Sequence, residues 1–283
     1  MRVALSSVLI CAVIATAAPA QVTQLPPHLR DRGRGVRTSV FGTYIEPRQW
    51  LVLSAVGFVR DHNLEYNPLD WGYGSQVDLH AKFRSSEGQI FLAYGVNDWL
   101  AFELEGSYVS ARFERSSLDT SGTPATIKES GFTDFAAQAR LRLAGEQGRR
   151  PEIFASLEFI PATHKGKKLI SDRWTDLKGE IGLVRGFQFG TMTLKTTVEW
   201  NHGDKHWDLG ETSVEYLRQV SPAWRLFLAI EGGEGGAMDE WVFVTAAQWR
   251  ISNRAFLKLS NGFGVAPKST DWEPQVGIML AFP

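Results

Sequence analysis

The chain has 283 residues, a formal net charge of −1, a glycine- and aromatic-rich composition (27 Gly, 10 Trp, 17 Phe) and one cysteine, Cys11. The balanced charge leaves no basic face for nucleic acid, and a lone cysteine excludes a disulfide framework or a thiolate metal site. No stretch after residue 20 offers the roughly 20 continuous apolar residues of a membrane helix. The chain is therefore either a soluble all-β fold or a closed barrel. The barrel is the one non-helical way across lipid, because each backbone N–H and C=O must be paired internally.

Residues 1–20 read as an export signal. Arg2 gives the positive start, 5–15 the apolar core, and Ala18-Pro19-Ala20 an A-x-A-like cleavage site. Cys11 lies in the apolar core behind Ile10, where a lipoprotein signal would carry a small residue. Residues 21–47 carry Pro26, Pro27 and the run Arg30-Asp31-Arg32-Gly33-Arg34. That composition predicts a flexible periplasmic lead-in, with a plug or a partner-docking strand as the alternative.

From residue 48 onward, apolar and polar residues alternate. Leu100, Phe102, Leu104 and Tyr108 alternate with Glu103, Glu105 and Ser107; Met192, Leu194, Thr196 and Val198 with Thr193, Lys195 and Glu199; Trp224, Leu226, Leu228 and Ile230 with Arg225, Ala229 and Glu231. Period two places each set on one face of a strand. The predicted strands are 48–61, 77–96, 99–114, 132–144, 152–163, 176–187, 191–201, 208–218, 223–233, 240–251, 254–265 and 272–282. The residues Ser85-Ser86-Glu87-Gly88 interrupt the second. One long strand, bulged near Gly88, preserves an even count and puts both termini on the periplasmic side.

Three features favour a membrane. The strands exceed the soluble mode of about 5–6 residues. Trp99, Trp200, Trp224, Trp241, Trp249 and Trp272 gather near strand ends, where aromatic girdles lie. Connections alternate short (97–98, 145–151, 187–190, 219–223, 252–254) and long (115–131, 164–175, 201–207, 232–239, 266–271), the habit of outer-membrane barrels. The fold predicted for 48–283 is an antiparallel transmembrane β-barrel of about twelve strands, with ten or fourteen as alternatives.

If the apolar set faces lipid, the polar set lines the lumen. It contains Glu103, Glu105, Arg140, Arg142, Glu158, Lys178, Glu180, Lys195, Glu199, Glu211, Glu215, Arg225, Glu231, Arg250 and Lys258. Two readings stay open. Facing acidic and basic walls could form a selective pore or solute site. Alternatively, ladders of paired charge fill and stabilise a narrow barrel.

The segments Gly95-Val96-Asn97-Asp98-Trp99-Leu100 and Gly131-Phe132-Thr133-Asp134-Phe135, the latter leading into Arg140-Leu141-Arg142-Leu143, resemble paired repeats of a family of outer-membrane barrels. So do Val214-Glu215-Tyr216-Leu217 before Trp224-Arg225-Leu226, and the close at 272–282. That family is the transporter-like or MetA-pathway phenol-degradation porin family, and the resemblance spans most of 40–282. It implies passage of small solutes, apolar or aromatic ones among them, and supplies no catalytic residues. Pro283 after the terminal Phe282 departs from the pattern, which weakens the end signal read by the barrel-assembly machinery.

Other chemistry is thin. Leu259-Ser260-Asn261-Gly262 resembles part of an outer-membrane lipase signature, but Lys258 stands where the general base would be His. His202, Asp204, His206 and Asp208 share a loop with metal-like spacing, and solvation is the simpler reading. Lys165-Gly166-Lys167-Lys168 offers point charges to lipopolysaccharide phosphates. The expected partners are outer-membrane lipid, lipopolysaccharide, the assembly machinery and a small solute. No enzyme activity and no cofactor are expected. The candidate gates are 63–74 and 115–131.

Overall fold

The computed structural model describes residues 34–69, 71–74, 79–163, 166–171, 174–202, 205–232, 241–266 and 269–283. The expected export signal 1–20 and the expected lead-in as far as 33 lie outside them, as do Lys165, Asp204 and residues 233–240. Among the described residues there is no helix.

Two short strands, β1 (Val36–Arg37) and β2 (Tyr44–Ile45), precede the barrel. Its wall comprises β3 (Trp50–Tyr66), β4 (Leu79–Gly95), β5 (Leu100–Arg115), β6 (Thr126–Phe132), β7 (Ala136–Ala144), β8 (Glu152–Ile160) and β9 (Asp176–Phe187). It continues through β10 (Gly190–Asn201), β11 (His206–Gln219), β12 (Trp224–Gly232), β13 (Trp241–Arg250), β14 (Ala255–Gly264) and β15 (Trp272–Phe282). Every neighbour is antiparallel, and pairing of β15 with β3 closes the sheet. β5 pairs with β6 along 108–114 and with β7 along 100–105, so these two occupy one place in the wall. The barrel has twelve strands.

β4 runs unbroken. Ser85, Ser86, Glu87 and Gly88 pair on both sides, with Val59 to Val56 and with Ala111 to Tyr108. The bulge expected near Gly88 lies instead on β3, between Asp61 and Leu64. β3 also reaches Tyr66, five residues past the boundary predicted at 61. Its polar tip is long because it continues past the apolar band, where period-two hydrophobicity fades and sequence reading loses the strand.

Phe58, Ile90, Phe102, Leu104, Leu157, Ile181, Leu194 and Val276 are exposed on the outer face. An outward apolar band is the lipid-facing pattern. Trp50, Trp99, Trp224 and Trp249 edge the band at the short-turn end, with Trp224 and Trp249 stacked at 5.9 Å.

The inner face is not uniformly polar. Leu51, Leu53, Phe91, Phe256 and Met279 point inward near the short-turn end, and are buried against Val36, Val40 and Ile45. The barrel is therefore filled there by residues preceding its first strand. Gly95 permits that close approach: a Cβ on it would sit 2.1 Å from the Glu46 carbonyl oxygen. Gly95→Ala should cost about 1–3 kcal/mol through this overlap. The check is a lower temperature for the folded-to-unfolded mobility shift on gels; an unchanged transition would mean that residues 45–46 do not seat there.

Candidate functional site

Residues 34–47 form a hairpin inside the lumen. This corrects the flexible lead-in expected for that part of the segment. Val36 pairs with Ile45 and Arg37 with Tyr44. Thr38 N–H donates to Thr43 O at 2.8 Å, and Thr43 N–H to Val40 O at 3.0 Å. Phe41 (φ 42°) and Gly42 (φ 60°) are both left-handed, the signature of a type I′ turn. Glycine suits its position because a Cβ there would lie 2.7 Å from the Arg37 guanidinium. Phenylalanine at positive φ is a strained choice. Its ring meets Phe227 edge-on at 5.0 Å, and the Lys258 ammonium lies 3.3 Å from its centroid. Burial of Val36, Val40 and Ile45 contributes about 1.5–3 kcal/mol each relative to exposure.

The walls grip the hairpin through charge. Arg37 pairs with Glu215 of β11. Arg140 Nε donates to the Arg37 carbonyl at 2.8 Å, and its Nη2 pairs with Glu180 at 3.1 Å. Glu103 lies 3.8 Å from Arg140 and accepts the Ser39 N–H at 3.2 Å. Arg142 pairs with Glu152 at 2.7 Å and donates to Gly35 O at 3.1 Å. The Tyr44 hydroxyl donates to Glu152 at 3.1 Å. Burial, and then the charge of Glu152, raise the pKa of Tyr44, so it stays a donor. Hydrogen bonds to charged partners are worth roughly twice neutral ones. Such a set fixes one position for the hairpin.

Beyond the tip the remaining wall charges meet. Lys195 reaches Glu211 at 3.1 Å, Glu215 at 3.7 Å and Glu180 at 3.9 Å. Lys178 pairs with Glu199 at 3.0 Å. Glu105 accepts from Gln89 at 2.7 Å, and Lys258 donates to Gln275 at 2.5 Å. Arg225 is buried and donates to Gln248 at 2.9 Å. Arg250 ends β13 opposite Phe256, away from this group. Glu231 faces Lys195 across a hollow. Gln138, Gln89 and Glu273 also line it; the sequence marks them only weakly, because they are uncharged or stand near a strand end.

That hollow comprises two cavities of about 280 and 360 Å³, which share Ser39, Lys195 and Glu231. Ser39, Val40 and Phe41 form one side. The walls hold eight carboxylates (Glu105, Glu158, Glu180, Glu199, Glu211, Glu215, Glu231, Glu273) against four cations (Arg140, Lys178, Lys195, Lys258). Leu53, Phe227 and Val244 join Phe41 in an apolar patch. Ser260 lines the same space with Lys258. A third cavity of about 490 Å³, lined by Tyr44, Arg142, Glu152 and Arg185, opens on the other side of the hairpin.

At the long-loop end, Tyr66 stacks on Trp71 at 4.8 Å, and both contact Phe113. The Tyr66 hydroxyl donates to Asp119. Ile170 is buried on Val109 and Ala111. The two candidate gates therefore meet at the mouth, joined by 166–171. Only 116–125 of the second gate is loop, because 126–131 is strand β6. Asp134 sits in the break before β7, accepting from Thr163 N–H and the Ser171 hydroxyl, each at 2.6 Å. His206 and Asp208, expected in a loop, stand at the start of β11 and pair at 3.0 Å, and no group of three metal-type ligands occurs among the described residues.

No family model matches the chain, and no curated protein sequence does. Solved structures do. The COG4313 outer membrane channel from Pseudomonas putida F1 aligns with a TM-score of 0.62 at 14% identity, over 87% of this chain and all of that one. The fold is that of an outer-membrane barrel. The translocator domain of autotransporter NalP from Neisseria meningitidis aligns with a TM-score of 0.52 at 10% identity, over 84% of this chain and 90% of that one. The toluene transporter TodX of Pseudomonas putida also aligns, over 94% of each chain at 8% identity, with a TM-score of 0.41.

Proposed function

We propose that the protein is an outer-membrane conduit for small solutes, held shut near its short-turn end by the 34–47 hairpin. The observation that carries this reading is the strained, charge-clamped tip at Phe41 facing a hollow charged chamber. A barrel serving only as structure has no need of a charged chamber behind the hairpin. The export signal at 1–20 and the outward apolar band support an outer-membrane location. The short turns then face the periplasm.

The excess of carboxylates over cations in the chamber favours cations over anions. The patch of Phe41, Leu53, Phe227 and Val244 is where an apolar or aromatic solute of the kind implied by the family resemblance would rest. Ser260 has a lysine, not a histidine, two residues before it, so no general base of the lipase type sits beside its hydroxyl.

Planar-bilayer recording tests the reading. Purified protein should give brief current steps whose reversal potential in a KCl gradient lies on the cation side. Glu211→Gln with Glu231→Gln should move it toward zero. A barrel with a permanently sealed lumen, serving structure or adhesion through its loops, would pass no current and would not swell liposomes in any small solute.

A further inference from the structure

A row of four cations crosses the outside of the barrel on neighbouring strands. Register sets Arg60 opposite Arg84, Arg84 opposite Arg112, and Arg112 opposite Lys128. By parity they share the outer face with Phe58, Tyr108 and Phe132. Strands lie about 4.8 Å apart, and like charges directly opposite are destabilising. Inside the lumen cations meet carboxylates; along this row each cation stands directly opposite another. Glu114 is the acid that enters the row, pairing with Arg112 at 2.6 Å and Arg84 at 3.5 Å. Lys82, opposite Glu114, adds another cation. At the flank, Asp271 is bonded to His62 at 2.7 Å and also lies within reach of the charge of Arg60.

The rows beneath are ordered. One step nearer the apolar band, Ser86, Ser110 and Ser130 stand opposite one another beside Phe58. A further step brings Val56, Gly88, Tyr108 and Phe132 into line. Each step is about 7 Å. A groove of about 850 Å³ runs over this wall, bounded by Phe58, Arg84, Arg112, Lys128 and Trp272. Moving away from the band, the surface passes from aromatic to hydroxyl to cationic.

We propose that this wall binds lipopolysaccharide, its phosphates on Arg60, Arg84, Arg112 and Lys128 and its acyl chains over Tyr108 and Phe132. The sequence of apolar, hydroxyl and cationic rows matches acyl chain, sugar and phosphate in that lipid. Arginine forks suit phosphate oxygens, and the phosphates remove the repulsion along the row. The proposal rests on the outer-membrane reading, with the long loops outside.

The test uses full-length mature protein in neutral detergent, with bisphosphoryl lipid A as probe and monophosphoryl lipid A and phosphatidylglycerol as comparisons. Bisphosphoryl lipid A should bind most tightly and raise the melting temperature. The quadruple variant R60Q/R84Q/R112Q/K128Q should bind at least about tenfold more weakly. The single variant Arg84→Gln should melt higher than wild type without lipid and gain less from lipid A, a sign opposite to that of a damaged wall. Equal binding of all three lipids, or undiminished lipid A binding by the variants, overturns the proposal. Bilayer conductance of the quadruple variant should match wild type, so failure here is distinguishable from failure of the conduit.

Discussion

Deletion of residues 34–46 should raise single-channel conductance by at least about tenfold, because the hairpin fills the cross-section between the two hollows. The strand ladders do not depend on it: β15 pairs with β3 from Phe282 and Trp50 upward. Arg140, Glu103, Arg142 and Glu152 would pass from protein contacts to water, which costs them nothing in unmet hydrogen bonds. Leu51, Leu53, Phe91 and Met279 would lose their cover, at about 1.5–3 kcal/mol for each one fully wetted. The barrel should therefore melt lower yet still fold, as read by its heat-dependent gel mobility. A folded deletion variant with unchanged conductance would mean that the barrier lies elsewhere, with the loop cluster at Tyr66 and Trp71 as the next place to look.

Arg140→Met should be the most damaging single change to the lumen. The guanidinium lies between Glu103 and Glu180 and also holds the hairpin through the Arg37 carbonyl. Removing one partner of a buried ion pair costs about 3–5 kcal/mol, chiefly from the charge left uncompensated. The barrel can avoid that cost by releasing the hairpin and letting water in. The expected readouts are a rise in conductance and faster proteolysis near residue 37, with a smaller change in barrel melting. Adding Glu103→Gln should restore part of the closed state, because a neutral amide needs no cation. If Arg140→Met behaves as wild type, the hairpin is held by its apolar contacts alone.

Much of the barrel was legible in the sequence because a half-buried strand must alternate. The parity of Leu100 to Tyr108 and of Trp224 to Ile230 gave faces that the structure keeps. Short and long connections gave the strand count. The reading failed where local pattern says little. Val36 to Ile45 is too short to fold alone and follows a proline- and arginine-rich stretch, so disorder was the natural inference. Two faint signals pointed the other way. Phe41-Gly42 fits a tight hairpin turn. Leu51, Leu53, Phe91 and Met279 are apolar at inward positions, and an apolar inner wall requires an apolar occupant. Of the connection expected at 115–131 only 116–125 is loop, because β6 is polar and stands beyond the band, where alternation carries no signal.

By itself, the sequence determined the all-β class and the direction in which most side chains face, since both follow from a two-residue period and from the absence of any long apolar run. Only the tertiary structure decided what fills the lumen and which charges meet. Arg37 finds Glu215 across 178 positions of chain, and Arg60, Arg84, Arg112 and Lys128 become neighbours only through strand register. Such contacts depend on how the sheet closes and by how much each strand is offset, and these are set by the sum of all the pairings, which no local stretch of sequence contains.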